Sequence, residues 1–430
     1  MIKTIKAQEI LDSRGNPTVA VELITDFGIF QASVPSGASK GKYEAVELRD
    51  GRDARPASKE GGPVLGERYQ GRGVLKAVKN VNEKIGPKLK GKDVRNQKQI
   101  DQILIELDGT KNKSKLGANA ILPVSMAVCR AGAKAKNIPL WQHLKNQYDI
   151  NSTAVRNALS LPTPCFNIIN GGAHAGNELD IQEFMVVPQI NTFKKALQQA
   201  SEIYHTLREI LIKDFGRLAI NVGDEGGFAP PLYHTQEALN LIMKAIKESN
   251  YREKTKIGLD CAASQFFKKE NYKLDKTIFT GEGLLTFYQE IVKKYPILFI
   301  EDPFAEEDWQ GWRKLKVKSE KLKVLIIGDD LLATNPMRME MAKERNACNA
   351  AIVKPNQIGT VTETLEAAKL AKSFGWKIMV SHRSGETNDD FIADLAVGIS
   401  ADFIKSGAPA RGERVAKYNR LLKIEEEIKR

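Results

Sequence analysis

Several acidic side chains stand at the ends of short apolar segments in the second half of the chain. KIGLD ends at Asp260, ILFIED at Glu301 and Asp302, and VLIIGDD at Asp329 and Asp330. Carboxylate oxygens are preferred ligands of hard divalent cations, and few ligands with room for water and substrate favour Mg²⁺ over Ca²⁺. If folding brings Asp260, Glu301 and Asp329 together, they would form a magnesium site. Taken alone, the aspartates after VLIIG could instead begin a solvated loop or cap the next helix.

Three further apolar segments end in basic or hydroxyl side chains. NAAIVK ends at Lys354, KIMVSHRS at His382, Arg383 and Ser384, and ADFIK at Lys405. A lysine beside a dication has its ammonium form disfavoured and can be a neutral base near physiological pH. Lys354 could equally be paired with one of the acids. The donors from His382 to Ser384 suit an anionic oxygen group, which indicates a phosphorylated or carboxylated substrate.

The spacing of these six segment ends predicts the elements that position them. Successive ends are 41, 28, 25, 28 and 23 residues apart, which is the length of a strand followed by a helix. The intervening segments, such as TVTETLEAAKLAKSFG, carry apolar or alanine residues at helical spacing and close with glycine. A closed βα barrel collects the C-terminal ends of its strands at one face. We therefore expect the six ends to share one pocket.

The length of the chain leaves room for a second domain. A βα barrel uses about 250 residues, and the chain has 430. We therefore expect an additional N-terminal domain. The polar, turn-rich stretch NQYDINSTAVRNALSLPTP, residues 146–164, is a plausible linker.

Net charge, cysteine content and hydropathy narrow the class of protein. The net charge is +12, and residues 1–140 hold 25 Lys and Arg against 15 Asp and Glu. These cations are scattered among acids without an aromatic-studded stripe or a zinc or helix-turn-helix spacing, so nucleic-acid binding is not expected as a main role. The four cysteines show no CxxC spacing, which favours free thiols in a reducing compartment. No signal peptide and no apolar run near ~20 residues is apparent, so we expect a cytoplasmic protein that does not enter a membrane.

The motifs of the chain, taken together, resemble those of enolases along nearly the whole length. In the first half they are SRGNPTV, SGAS, KSKLGANAI, NGGAHAGN, IQEFM and GDEGGFAP; in the second half they are GLDCAAS, IEDPFAEEDW, GDDL, KPNQIGT, SHRSGETNDDFIADLAVG and IKSGAPARGERVAKYNRLL. Each short motif alone is weak, but a dozen in order are specific. The resemblance implies an α/β fold in which an N-terminal α+β domain, residues 1–140, caps an enolase-type, TIM-like βα barrel, residues 141–430.

The resemblance also implies an activity. Enolases are hydro-lyases that reversibly dehydrate 2-phospho-D-glycerate to phosphoenolpyruvate in glycolysis and gluconeogenesis, with two Mg²⁺ ions per active site. The implied partners are this small phosphorylated substrate and further copies of the chain, in a homodimer or a larger homo-oligomer.

Residue roles can be carried over from the matching motifs. The resemblance implies that Asp260, Glu301 and Asp329 hold the first Mg²⁺, and that Ser39 helps to bind the second. Lys354 would remove the proton from C2 of the substrate. The implied substrate-binding residues are His174, Gln182, Glu183, Glu301, Asp329, Lys354, His382, Arg383, Ser384 and Lys405.

The remaining implied roles concern the hydroxyl group that leaves from C3. The resemblance makes Glu225 the acid that assists its departure, with Glu183 and His174 beside it. On spacing alone, a glutamate flanked by glycine in GDEGG could merely belong to a turn. Among the substrate-binding residues, Lys405 would contact the carboxylate, and Arg383 with Ser384 the phosphate.

Two other functions fit part of the pattern. A related enzyme acting on a non-phosphorylated carboxylate would share the three acids and the lysine, but the full set of SGAS, GDEGG and SHRSGET argues against it. A non-catalytic binding protein with this fold would be expected to have lost site residues, and none is missing.

The chain departs from the enolase pattern at a few positions. Lys40 follows SGAS where threonine is usual, and the loop continues GKYEA. Residues 50–74 are longer than expected and read as a surface loop. Gln265 stands where an acid is expected, and Ala20 replaces a glutamate near the ion pairs that the family uses in its dimer.

Lys40 generates a testable prediction, because an ammonium next to Ser39 should favour binding of a phosphate dianion. Such a charge pair is worth on the order of a few kcal/mol before screening, and much less if the side chain points to water. Lys40→Thr should therefore raise KM for 2-phosphoglycerate with a smaller change in kcat, and the difference in KM should shrink as ionic strength rises. An unchanged, salt-independent KM would identify Lys40 as an ordinary solvated lysine.

Overall fold

The computed structural model describes residues 1–38, 41–51, 68–149 and 161–429. Ser39, Lys40 and most of the long segment between residues 50 and 74 therefore lie outside the described residues. The predictions made for them stay predictions.

An antiparallel three-stranded sheet opens the chain. Its strands are β1 (Ile2–Leu11), β2 (Pro17–Thr25) and β3 (Gly28–Ser33), with β2 in the centre. Alternate residues of the central strand, Val19, Val21 and Leu23, are fully or almost fully buried, as expected for a sheet with one covered face. Their burial fixes the register, since a shift by one residue would turn these side chains to solvent.

In the described residues, five helices follow this sheet, and the first, second and fourth of them pack against it. They are α1 (Leu75–Asn80), α2 (Gly86–Leu89), α3 (Gln97–Asp108), α4 (Ala118–Ala135) and α5 (Leu140–Asp149). A π-helical turn, Val81–Ile85, joins the first two without a break. Helix α4 is buried on almost all sides because it lies against β2 and β3 and also against helices of the second half.

The second half of the described chain contains a closed eight-stranded barrel. Its first three strands are β4 (Thr163–Asn170), β5 (Glu183–Pro188) and β6 (Thr255–Asp260). A small antiparallel sheet then intervenes, with strands β7 (Phe267–Lys268), β8 (Asn271–Leu274) and β9 (Thr277–Phe279). The remaining barrel strands are β10 (Ile297–Glu301), β11 (Leu325–Gly328), β12 (Ala350–Val353), β13 (Lys377–Ser381) and β14 (Phe403–Lys405).

Nine helices accompany these strands. They are α6 (Phe193–Phe215), α7 (Thr235–Glu248), α8 (Gly281–Lys294), α9 (Trp309–Leu322), α10 (Pro336–Glu344), α11 (Pro355–Ile358), α12 (Val361–Ser373), α13 (Phe391–Gly398) and α14 (Gly412–Lys429). The segment predicted to be helical from its spacing is α12. The Thr360 side chain caps it by accepting a hydrogen bond from the backbone N–H of Glu363.

Strand direction in the barrel is parallel except at one strand. The neighbours from β6 through β10 to β14 and on to β4 pair in parallel, whereas β5 is antiparallel to both β4 and β6. The parallel arrangement predicted for the six segment ends is confirmed. Because β5 runs the other way, its first residue, Glu183, lies opposite Asp260, the last residue of β6. One face of the barrel thus receives the starts as well as the ends of strands.

The interior of the barrel is filled by a small apolar cluster separate from the main core. It contains Cys165, Met185, Val187, Phe299, Ile327, Ala350, Ile352 and Met379. Gly258 is required beside Phe299, because a Cβ atom at this glycine would lie 2.0 Å from Phe299 Cζ. This apolar cluster fills the barrel below its polar face, so the polar face is where an active site can form.

All four cysteines are buried and free, as expected for a chain without a disulfide framework. Within the described ranges, no helix combines the length and apolar character needed to cross a membrane. The proposed boundary between residues 140 and 141 coincides with the start of α5, and it stays a prediction.

Candidate active site

Three predicted site acids meet a single lysine at the polar face of the barrel. The Lys405 ammonium donates to Glu183 Oε2 at 2.9 Å, to Asp260 Oδ2 at 3.1 Å and to both Glu301 oxygens at 2.8 Å. The lysine is only 1% exposed. Its pKa lies well above its usual range: burial lowers it, but the carboxylates, Glu183 and Glu301 foremost, raise it more. Lys405 therefore remains a cation that balances buried negative charge.

The fourth acid, Asp329, uses a different lysine. Lys354, which follows β12, makes an ion pair with Asp329 Oδ2, and Gln357 donates to Asp329 Oδ1 at 2.9 Å. Burial lowers the pKa of Lys354, but Asp329 raises it further, so the pKa lies above its usual value. The pairing of Lys354 with an acid, one of the two alternatives left open by the sequence, is the arrangement in this structure.

The donor set of this face suits a hard cation. Asp260, Glu301 and Asp329 are buried carboxylates, and burial together with the charge of Asp260 raises the pKa of Glu301 well above its usual range. Buried carboxylates of this density need a compensating cation. Oxygen donors without sulfur favour Mg²⁺ or a similar ion, so the residues fit the ion that the sequence predicted.

Two groups of side chains have ligand atoms within 4.8 Å of one another in the described structure. One is His174, Glu183 and Glu225, and the other is Asp302, Asp329 and Asp330. The predicted trio of Asp260, Glu301 and Asp329 is not among these groups, and the Lys405 ammonium contacts the first two of its carboxylates.

Asp302 has a structural role that differs from that of the predicted metal ligands. It accepts the backbone N–H groups of Asp329 and Asp330 at 2.9 and 2.7 Å. These bonds fix the turn that presents Asp329, so Asp302 contributes to the site by orienting its neighbours.

A second group of titratable side chains surrounds Glu225. Glu225 Oε1 lies 3.3 Å from His174 Nδ1 and 3.4 Å from His382 Nε2, while Asn167 donates to Glu225 Oε2 at 2.6 Å. Burial alone would raise the pKa of Glu225, but His174 and His382 lower it well below its usual value. Burial and the neighbouring Glu225 raise the pKa of Glu183 instead. Of the two carboxyl groups, Glu183 is therefore the one more readily protonated.

The position of the ring hydrogen of His382 follows from its contact with the buried Arg414 side chain. The Arg414 Nη1 atom lies 2.7 Å from His382 Nδ1. Arginine can only donate, so Nδ1 must accept and the ring hydrogen is on Nε2, which faces Glu225. Burial lowers the pKa of His382 well below its usual value, so the ring is neutral and turns its Nε2–H group toward Glu225 at 3.4 Å.

The predicted anion-binding residues lie at the rim of the same face. Arg383 donates from Nη1 and Nη2 to the two oxygens of Glu44 at 2.9 and 3.0 Å, and from Nη1 to Asn356 at 3.2 Å. The Ser384 hydroxyl accepts the backbone N–H of Ala38 at 2.6 Å. Residues from the first half of the chain thus contact this rim.

One cavity brings the predicted residues together. It is lined by Gly37, Ala38, His174, Gln182, Glu183, Glu225, Asp260, Asp329, Asp330, Lys354, Ser381, His382, Arg383, Ser384 and Lys405. Glu301 joins the set through Lys405, and Ser39 lies outside the described residues. Gln265, a departure from the family pattern, donates to Gln182 Oε1 at 2.9 Å, and Gln182 in turn lies 3.4 Å from Asp260.

Besides unpredicted cavity-lining residues such as Asp330 and Ser381, four residues that contact site residues were not predicted: Glu44, Asn167, Gln357 and Arg414. The sequence contains a local signal for two of these four residues. Asn167 is a polar residue inside the buried segment CFNII, and Gln357 lies three residues after Lys354, on the same helical turn. Glu44 and Arg414 act over sequence separations of 339 and 32 residues, which no local pattern reveals.

Comparison with known families matches both halves of the chain. The family described as "Enolase, N-terminal domain" matches residues 2–144, and "Enolase, C-terminal TIM barrel domain" matches residues 158–430. The chain belongs to the enolase family. The resemblance inferred from its motifs and the expected α/β class with an enolase-type barrel are confirmed.

Two curated enolases are similar over nearly their whole length. "Enolase B" of Dictyostelium discoideum is 53% identical over 442 residues, covering 100% of this chain and 95% of that protein. "Enolase 1" of Entamoeba histolytica is 49% identical over 440 residues, covering 99% and 96%. The chain is therefore an enzyme with enolase function, a carbon–oxygen hydro-lyase.

Replacing Lys405 tests its role as the cation of the site. Lys405→Met would leave Glu183, Asp260 and Glu301 buried without a positive partner, and breaking a buried pair typically costs about 3–5 kcal/mol. In chelator, the midpoint of urea denaturation should therefore fall strongly. Lys314→Met is a matched control, because Lys314 pairs with Glu282 at the surface, where ion pairs contribute little. Equal midpoints for the two variants would contradict the assignment.

Proposed function

We propose that the chain catalyses the reversible dehydration of 2-phospho-D-glycerate to phosphoenolpyruvate and water, assisted by two Mg²⁺ ions. The observation that carries this proposal is the convergence of Asp260, Glu301, Asp329, Lys354 and the Glu183–Glu225 pair on one barrel face. Proton removal beside a carboxylate and departure of a hydroxyl group need such a combination of cation site, base and acid.

The first metal ion would be held by Asp260, Glu301 and Asp329, with Ser39 contributing to the second. When bound, Mg²⁺ would stabilise the negative charge that develops on the substrate carboxylate. The donor chemistry of the three buried carboxylates supports this assignment.

Lys354 is proposed as the base that removes the C2 proton. It can accept a proton only as the neutral amine. Its ammonium group must therefore lose a proton, and its ion pair with Asp329 must end, before it acts. Its position on the strand next to Asp329 supports the role, because the base must reach a substrate bound to the same acids.

Glu225, with Glu183 and His174 beside it, is proposed to assist the departure of the C3 hydroxyl. The pKa of Glu183 is raised and that of Glu225 is lowered, and a buried carboxyl group of this pair could pass a proton to a leaving oxygen. Asn167 keeps Glu225 in place by donating to its Oε2 atom, and neutral His382 lies 3.4 Å from Oε1.

The substrate's anionic groups are assigned to the basic residues. Lys405, with Gln182 nearby, would contact the carboxylate, and Arg383 with Ser384 the phosphate. Guanidinium groups suit phosphate oxygens because they donate in a planar fork. We further propose that the chain acts in the cytoplasm as a homodimer or larger homo-oligomer, with its N-terminal part, residues 1–140, forming the capping domain.

The function is tested by assaying 2-phosphoglycerate turnover with and without Mg²⁺. A chelator should abolish activity, and Asp329→Ala should remain inactive in excess Mg²⁺ because it lacks a charged ligand. Asp214→Ala is a suitable control, since Asp214 pairs with Lys244 at the surface. Full turnover by the chelated wild type would contradict the metal assignment.

The acid and base assignments are tested by separating proton exchange from dehydration. Lys354→Ala should lower kcat by roughly 10²- to 10⁴-fold, the range typical of a general base, and should suppress exchange of the C2 proton with solvent. Glu225→Gln should slow dehydration yet retain some exchange, because deprotonation comes first. Undiminished exchange in Lys354→Ala would place the base elsewhere, and equal loss of both steps in Glu225→Gln would mean that they are not separate.

A further inference from the structure

A short irregular segment of the first half, residues 41–45, runs along the barrel face beside the site. Ala45 N donates to the backbone oxygen of Gln357 at 2.8 Å. A Cβ atom on Gly41 would lie 3.4 Å from the Asp330 Cα atom. The segment contains no helix or strand, so regular backbone hydrogen bonds do not determine its position. Isolated backbone hydrogen bonds, such as that of Ala45, act together with side-chain contacts to set its position.

Tyr43 joins this segment to the barrel through two side-chain contacts. Its hydroxyl donates to Glu307 Oε1 at 2.5 Å, and its ring centroid lies 4.1 Å from the guanidinium carbon of Arg338. The Trp309 ring also contacts that guanidinium, at 4.6 Å. The Tyr43 ring therefore binds the barrel by a hydrogen bond and by a cation–π contact.

Arg338, which packs against the Tyr43 ring, is fixed by hydrogen bonds of its own. Arg338 is 3% exposed, and it donates from Nε to the Leu331 carbonyl at 2.9 Å and from Nη2 to the Glu306 carbonyl at 2.8 Å. Leu331 and Glu306 belong to the loops that follow β11 and β10. Tyr43 is thus attached to the two loops adjoining the strands that deliver Asp329 and Glu301.

Glu44, the residue next to Tyr43, connects the segment to Arg383, the arginine proposed to bind an anion. Both oxygens of Glu44 accept from Arg383, and Glu44 Oε1 also accepts the Gly41 backbone N–H at 3.0 Å. A bidentate carboxylate fixes the plane of a guanidinium group, which otherwise has several rotatable bonds. A guanidinium fixed in this way meets an anionic oxygen group in one orientation.

We propose that Tyr43 is a positioning residue that clamps residues 41–45 to Arg338 and Glu307, so that Glu44 holds Arg383 ready for the anionic group of the substrate. The kinetic part of this inference rests on the proposed function. The attachment of the segment to the barrel does not rest on the proposed function.

The kinetic test compares KM and kcat in variants of Tyr43. A cation–π contact of about 0.5–2 kcal/mol corresponds to a change of roughly twofold to thirtyfold in affinity. Tyr43→Ala should raise both KM for 2-phosphoglycerate and the inhibition constant of inorganic phosphate by that factor, with a smaller change in kcat. Tyr43→Phe keeps the ring on Arg338 and should recover most of the loss. Glu44→Gln should raise KM, and adding Tyr43→Ala to it should have less than the additive effect.

Tyr251 provides the matched control. It is also partly buried and donates to a glutamate, Glu202, at 2.6 Å, but it belongs to the turn after α7 and does not line the site cavity. Tyr251→Ala and Tyr251→Phe should leave KM and phosphate inhibition unchanged.

Limited trypsin digestion gives a readout that is independent of activity. Cleavage after Lys42, identified by mass spectrometry of the peptides, should be faster in Tyr43→Ala than in the wild type or Tyr251→Ala. Faster cleavage with unchanged KM and phosphate inhibition would overturn the positioning role, and unchanged cleavage would overturn the attachment. If the wild type did not turn over 2-phosphoglycerate, the proposed function would fail. Calorimetric titration with inorganic phosphate would then decide the positioning role, which falls if Tyr43→Ala binds phosphate as tightly as the wild type.

Discussion

Buried negative charge at one face of the barrel is the constraint on which the rest of the site depends. The pairing of β5, β6 and β10 places Glu183, Asp260 and Glu301 side by side. Buried carboxylates cannot remain ionised together without a cation, and Lys405 contributes that charge from β14, on the far side of β4 and β5 in the barrel. A closed barrel allows this contact because its strands converge on a common centre.

The same constraint explains the neutral donors that surround the acids. Asn167 donates to Glu225, Gln357 to Asp329, and the backbone N–H groups after β11 to Asp302. Each bond stabilises an ionised carboxylate without adding a charge, so these residues orient the acids while leaving the demand for a cation intact. Amides rather than ammonium groups at these positions keep the site suited to a metal ion.

The sequence was most informative where burial and charge meet in one short segment. Strand ends at Asp260, Glu301 and Lys354 were predictable because an apolar run must stop where a charged residue begins. The position of Glu183 was implied only by the family resemblance, since it begins an antiparallel strand instead of ending a parallel one. Contacts such as that of Glu44 with Arg383 depend on how the two halves of the chain pack, and no local pattern encodes them.

The two halves of the chain contribute to the site in different ways. The acids stand on barrel strands and the turns that follow them, and hydrogen bonds such as those to Asp302 fix their geometry. Arg383, the residue proposed to bind the anionic group, is instead oriented by Glu44, which lies on a segment without regular structure. A buried guanidinium needs a carboxylate partner as much as a buried carboxylate needs a cation, so the N-terminal half completes the charge balance of the barrel. If the proposed residue roles hold, recognition of the substrate's anionic group depends on how that segment is anchored, and proton transfer depends on the barrel itself.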